Sequence, residues 1–270
     1  MAGLLLLVFL TLPAAAAAEV RFTREPAGKA VVSFVADASP SAAAPLWIHL
    51  HGATDTVERA FAQVGAPGVL VTLTLPGLSK VYADHFAPPE AFENLLREAA
   101  AIVRRARGGG EWTPAHITVS SFSAGFGGVR QLLRQPAAFE RIGTLVMADS
   151  IYCGYAGPVA ERQVDPALME GFLRYARLAA DGKRRMLITH TRQVPEGYAS
   201  TTETADYLIS QLGGGRAGRG AEWGDGLVET GRFSRAGFEV IGFEGAEAKD
   251  HLQHLRSLGD RKSTRLNSSH

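Results

Sequence analysis

The sequence predicts an α/β protein: a mostly parallel, doubly wound sheet of about eight strands with a small cap. Three observations carry that reading. Strand-like and helix-like patterns alternate along the chain, as they do where crossover helices link neighbouring strands. Setting aside both ends leaves about 240 residues, enough for one large α/β domain with a substantial core. And one β-branched run, ending in Ser121-Phe122-Ser123-Ala124-Gly125, passes at once into a helical pattern.

In chain order, 20–22 and 30–35 read as an opening antiparallel pair, 46–50 as a buried strand and 69–75 as another. Between 90 and 107, Phe92, Leu95, Leu96, Ala99, Ile102 and Val103 make one apolar stripe, the mark of an amphipathic helix; Gly108 to Gly110 close it. The strand before Ser123 follows, then 142–148, 186–189 and 238–243. The stretch 150–183 is longer than a crossover requires and predicts the cap. The glycine-rich run 213–220 reads as a surface excursion. No repeat of fixed period is visible.

The ends stand apart. Residues 1–18 combine a short apolar core with small residues before Glu19, which predicts a secretory signal peptide too short to span a bilayer. Met1-Ala2-Gly3 carries no basic residue, so the expected start lies upstream. Cys153 is the single cysteine, so neither a lipid anchor nor a disulfide is expected. Together these predict an exported protein, periplasmic or secreted, of bacterial type. Residues 260–270 match, without a mismatch, the translation of a common short-read sequencing adapter. The segment is set aside as non-native, with the natural chain expected to continue past Gly259. Its removal takes away three basic residues and one acidic one, turning the formal balance from +1 to −1. No basic excess remains to attract nucleic acid or an anionic membrane.

Ser121-x-Ser123-x-Gly125 between a strand and a helix has the layout of a nucleophile elbow. The turn strains its central serine and admits only small residues two positions either side. Phe126, Val129, Leu132 and Leu133 recur at helical spacing until Pro136. Gly127 and Gly128, each costing a helix interior roughly 1 kcal/mol, predict that the helix packs closely on the sheet. A serine of this kind needs a base, an acid to orient the base, and donors for the developing oxyanion. The loop after the last strand offers His251, with His254 one turn on as the alternative. Asp149, directly after 142–148, is placed at the same sheet edge as Ser123. Glu203 and Asp206 are its rivals, although Ser200-x-x-Glu203 already reads as a capping box. Ala124 follows the nucleophile and supplies one backbone N–H; Leu50-His51-Gly52-Ala53 is placed to supply a second, at Ala53.

With those residues the chain resembles an α/β-hydrolase-fold serine hydrolase over nearly all of 20–259. The resemblance implies an eight-stranded sheet, an acyl-enzyme intermediate and a nucleophile–acid–base order mapping onto Ser123, Asp149 and His251. It also implies an ester substrate, either a small molecule or polymer-derived, and no cofactor. Two departures are visible. The elbow opens on Ser121 where glycine is commoner, and the acid more often follows the next strand, where Thr191 stands.

Two other functions remain open at this stage. His49-x-His51 with Asp55, plus His251-x-x-His254, offer ligands for a metal-dependent hydrolase. A non-catalytic binding protein on the same fold is the other. Trp47, Phe122, Tyr152, Tyr155 and Tyr198 are candidates for an apolar or carbohydrate-binding cleft, and Cys153 for a buried small hydrophobe.

Overall fold

Side chains alternate between the two faces of a strand, and in this chain both alternations are apolar. The computed structural model, which describes residues 21–35, 40–64, 68–218, 220, 223 and 226–259, resolves that pattern into one nine-stranded sheet. The leader expected over 1–18 and the tail expected over 260–270 lie outside the described residues. The strands are β1 (Phe22–Ala27), β2 (Ala30–Val35), β3 (Leu46–Leu50), β4 (Val69–Leu73), β5 (Ile117–Phe122), β6 (Thr144–Ala148), β7 (Arg185–His190), β8 (Glu229–Arg235) and β9 (Phe238–Phe243). Their spatial order is β1-β2-β4-β3-β5-β6-β7-β9-β8. From β4 to β9 neighbouring strands run parallel, while β1–β2, β2–β4 and β8–β9 pair antiparallel.

The helices are α1 (Thr54–Val64), α2 (Ser79–His85), α3 (Ala91–Ala106), α4 (Phe126–Arg134), α5 (Pro136–Arg141), α6 (Pro166–Ala180), α7 (Thr201–Gln211) and α8 (Ala248–Arg256). Leu46, Ile48 and Leu50 of β3 and Leu145 and Met147 of β6 enter the larger core, closed by α3, α4, α6 and α7. Trp47, Val146, Leu187 and Ile241 point the other way, into a smaller core with Val57 and Phe61 of α1 and Leu255 of α8. Both faces are therefore covered, as a parallel sheet requires. Among the described residues no helix is long and apolar enough to cross a membrane.

Two expectations change. The sheet has nine strands rather than about eight, because β8 forms an antiparallel edge beside β9. Its sequence, Glu229-Thr-Gly-Arg-Phe-Ser-Arg235, is polar on its outer side, as edge strands are, so it carries no buried-strand signature. The length that predicts a cap over 150–183 divides in two. Pro166–Ala180 is a crossover helix, N-capped by Asp165, whose side chain accepts from the Ala167 N–H at 2.9 Å. Only the stretch before it is an excursion, tied down by the isolated bridges Cys153–Ala199 and Tyr155–Val164.

Candidate active site

Three non-glycine residues with left-handed backbones stand at the carboxyl ends of three adjacent strands: His51 (φ 69°) after β3, Ser123 (φ 47°) after β5 and Asp149 (φ 45°) after β6. Such strain persists only where surrounding structure enforces it. The turn at Ser123 passes close to β3. A Cβ on Gly125 would sit 2.2 Å from the Leu50 carbonyl oxygen, so the chain can pass β3 there only as glycine. The helix glycines differ in what they meet. Gly128 abuts the Leu50 side chain of the sheet, as expected, whereas a Cβ on Gly127 would lie 2.0 Å from the Ser79 carbonyl oxygen at the start of α2.

Ser121 is more than a small residue. Its buried hydroxyl meets the Ser150 hydroxyl at 2.8 Å, and Ser150 in turn donates to the Ser123 carbonyl at 2.8 Å. This hydroxyl relay links β5 and the loop after β6 to the backbone of the elbow.

His251 lies in α8, whose start is fixed by a capping box between Glu247 and Asp250. Its Nδ1 is 2.9 Å from Asp149 Oδ2, to which Thr191 Oγ1 also donates at 2.7 Å. The Asp149 N–H donates to the Thr189 carbonyl at 2.7 Å, holding the carboxylate against β7. Burial alone would push the Asp149 carboxyl up. The hydrogen bond from His251, the charges of His254 and His251, and the Thr191 hydroxyl outweigh it and hold the group below its usual value. Phe122, one residue before Ser123, packs against the imidazole: its ring lies 4.4 Å from that of His251 and 6.1 Å from that of His51.

The alternatives are held elsewhere. His254 is buried under α8, its Nδ1 2.8 Å from Thr189 Oγ1 and its ring edge-on to Phe243 at 5.5 Å; burial lowers its pKa to about 4. Glu203 completes the capping box with Ser200 and forms a two-pronged pair with Arg162 at 2.7 and 2.8 Å, with the Tyr155 hydroxyl donating as well. Asp206 pairs with Arg216 at 2.6 Å on an exposed face. Asp149 is thus the carboxylate brought to His251.

The metal-site donors are likewise scattered. His49 uses both ring nitrogens internally, Nε2–H on the His51 carbonyl at 2.9 Å and Nδ1 facing Ser120 Oγ at 2.7 Å. His51 Nδ1 is 2.9 Å from the Tyr82 hydroxyl, and Asp55 pairs with Arg24. Among the described residues, no three His, Cys, Asp or Glu side chains are grouped as a metal site.

Ser123, Ala124 and His251 share a cavity of about 630 Å³, walled further by Phe126, Tyr152 and Tyr198. Of the aromatic candidates, Tyr152 and Tyr198 line it, edge to face at 5.7 Å. Trp47 packs instead on Phe61 on the far face, and Tyr155 serves Glu203. Cys153 also lines the cavity, its thiol donating to the Gly154 carbonyl and held above its usual pKa by burial. Ala53 is exposed and absent from that lining; its carbonyl accepts from Thr56 and Val57 at the start of α1. Thr191 and Ser150 are the supporting residues that the motifs do not name. Thr191 stands directly after β7, and its hydroxyl donates to Asp149, the carboxylate that follows β6.

No protein-family model matches the chain, and no curated protein does. Solved structures do resemble it. An uncharacterised protein from Capnocytophaga ochracea is 11% identical over 90% of this chain and 63% of its own, with a TM-score of 0.48. A thermostable esterase is 13% identical over 91% and 60%, with a TM-score of 0.46. A thermophilic carboxylesterase from a metagenomic library is 15% identical over 91% and 85%, also at 0.46. The chain spans about three fifths of the length of the first two. At such identities the roles of its residues rest on their own geometry. By its sheet order, its strained serine between β5 and α4, and the loops that bring an aspartate and a histidine together at the same edge, the chain has the α/β-hydrolase fold.

Proposed function

We propose that the chain is a serine hydrolase that cleaves carboxylic esters through an acyl-enzyme. The observation that carries this reading is the 2.9 Å contact between His251 Nδ1 and the buried Asp149, beside a strained Ser123 in the same cavity. Asp149 accepts the Nδ1 proton and so leaves Nε2 free to act as the base. Ser123 Oγ attacks the ester carbonyl as His251 takes its proton, and the tetrahedral oxyanion is met by the Ala124 N–H. The second donor is assigned to the loop after β3, with the Ala53 N–H as candidate. His251 then returns the proton to the leaving alcohol, and a water activated by the same imidazole releases the acid. The neighbouring esterases, each named so in its own right, favour esters over amides as the first substrates to try.

Fluorophosphonate treatment followed by intact-mass measurement tests the reading. One adduct on Ser123, lost in Ser123→Ala, is expected. An unlabelled protein that hydrolyses no short-chain ester would return the chain to the non-catalytic reading.

A further inference from the structure

The cavity holds one permanent charge, and the protein does not neutralise it. Of the residues lining it, Arg130 is the only one charged at all pH values of interest, and no Asp or Glu is among them. Arg130 lies on α4, the helix that begins at the elbow, and its guanidinium stands 4.9 Å over the Phe126 ring. Its Nη2 donates to the Tyr152 carbonyl, while Nε is buried without a partner. Elsewhere in the chain Arg24, Arg162, Arg216 and Arg232 all meet carboxylates. Among the described residues none is paired with Arg130. Asp165, whose charge reaches it, is committed to capping α6.

A guanidinium withdrawn from water is costly unless something pairs with it, and burial works against the charge of Arg130. Its planar fork suits a planar carboxylate, which it can grip through two parallel N–H bonds. One cation balances one negative charge, so a carboxylate fits better than a phosphate dianion. We propose that Arg130 is the specificity residue of this site, and that the preferred ester carries a free carboxylate which the Arg130 guanidinium binds. This rests on the serine-hydrolase reading and names the substrate class for it.

The test uses two matched pairs of substrates. Mono-4-nitrophenyl glutarate against its methyl ester places the carboxylate in the acyl part. 4-Acetoxybenzoate against its methyl ester places it on the leaving alcohol. The wild-type protein should favour the carboxylate-bearing member of at least one pair, chiefly through KM. Arg130→Met should lower that preference by about 10- to 100-fold, the range for hydrogen bonds to a charged group. Arg130→Lys should restore part of it. A purely structural Arg130, holding only the Tyr152 carbonyl, would lower both members of a pair alike; an unchanged ratio in Arg130→Met therefore overturns the proposal. So does a wild-type protein with no preference in either pair, a comparison that needs no variant to fold. In that case fluorophosphonate labelling of Ser123 would leave the hydrolase reading standing. Absence of both labelling and hydrolysis would remove the two together.

Discussion

In the proposed reaction Ser123 acts only through its hydroxyl, and its backbone turn passes Leu50 at Gly125, which has no room for a Cβ. Ser123→Ala should therefore fold and lose activity by about 10⁴-fold or more, read as kcat with urea unfolding as the check on stability. Asp149→Asn should fall comparably, because an amide can hold the wrong imidazole tautomer against His251 Nδ1. Glu203→Gln should keep its turnover and lose about 1 kcal/mol of stability, since glutamine can still complete the capping box with Ser200 while the part-exposed pair with Arg162 is lost. If Glu203→Gln is dead and Asp149→Asn active, the acid has been assigned to the wrong strand. The hydroxyl relay separates two serines that look equivalent in the motif. Ser121→Ala leaves Ser150 still donating to the Ser123 carbonyl, whereas Ser150→Ala removes two hydrogen bonds at once, leaving the Ser121 hydroxyl only its contact with Met147 Sδ and the Ser123 carbonyl only the Phe126 N–H. Ser150→Ala should be the more destabilising, by roughly 1 kcal/mol for the one extra hydrogen bond lost, and should slow turnover by loosening the elbow. Equal unfolding midpoints for the two variants would show that the relay contributes nothing.

At the scale of elements, strands buried on both faces and the amphipathic α3 were legible because their period is written in apolar residues. The predicted 90–107 helix spans Ala91–Ala106, and the runs at 46–50 and 238–243 are strands over those residues. Edge strand β8 was not legible, since half of it faces water and its pairing with β9 supplies what its composition lacks. At the candidate site, the strand–turn–helix sequence pointed to Ser123, and chain order pointed to Asp149 and His251, which the fold brings within hydrogen-bond distance of each other. Phe122, Ser150 and Thr191 were not legible as its supports, because each acts through a contact between distant segments. The helix glycines lie between these cases. Two glycines in α4 announce close packing, yet only the structure shows that Gly127 meets the backbone of α2. Gly127→Ala illustrates the difference. Helix propensity alone would stabilise the protein by about 1 kcal/mol. A Cβ placed 2.0 Å from the Ser79 carbonyl must displace α2, so a net loss in thermal stability is expected. A rise in Tm would mean that α2 yields freely.

The whole molecule stores a pH response in histidines that take no part in the proposed chemistry. His49, His190 and His254 are buried, and burial lowers each to a pKa of about 4. In the unfolded chain the same groups titrate near about 6.5. Between those values the unfolded state binds the more protons, so stability rises with pH across that window and falls as pH drops through it. From pH 7 to pH 5 each contributes a loss of about 2 kcal/mol, or about 6 kcal/mol for the three together, a large part of what holds a domain folded. His51 and His85, half-buried, and His116, more exposed, are shifted in the same direction and add to the effect. Asp149 works at a lower range: with its carboxyl held below the usual value, its contribution is present above about pH 4 and is lost only as pH falls further. Urea unfolding midpoints should therefore drop steeply between pH 7 and pH 5 and change little between pH 7 and pH 8. Replacing one buried histidine by a residue that does not titrate, as in His254→Gln, should lower stability at pH 7 by removing its bond to Thr189 while flattening the slope below it. A slope that survives unchanged in His254→Gln, His190→Gln and His49→Gln would mean that these imidazoles accept protons in the folded state and that the interior is far wetter than their burial implies.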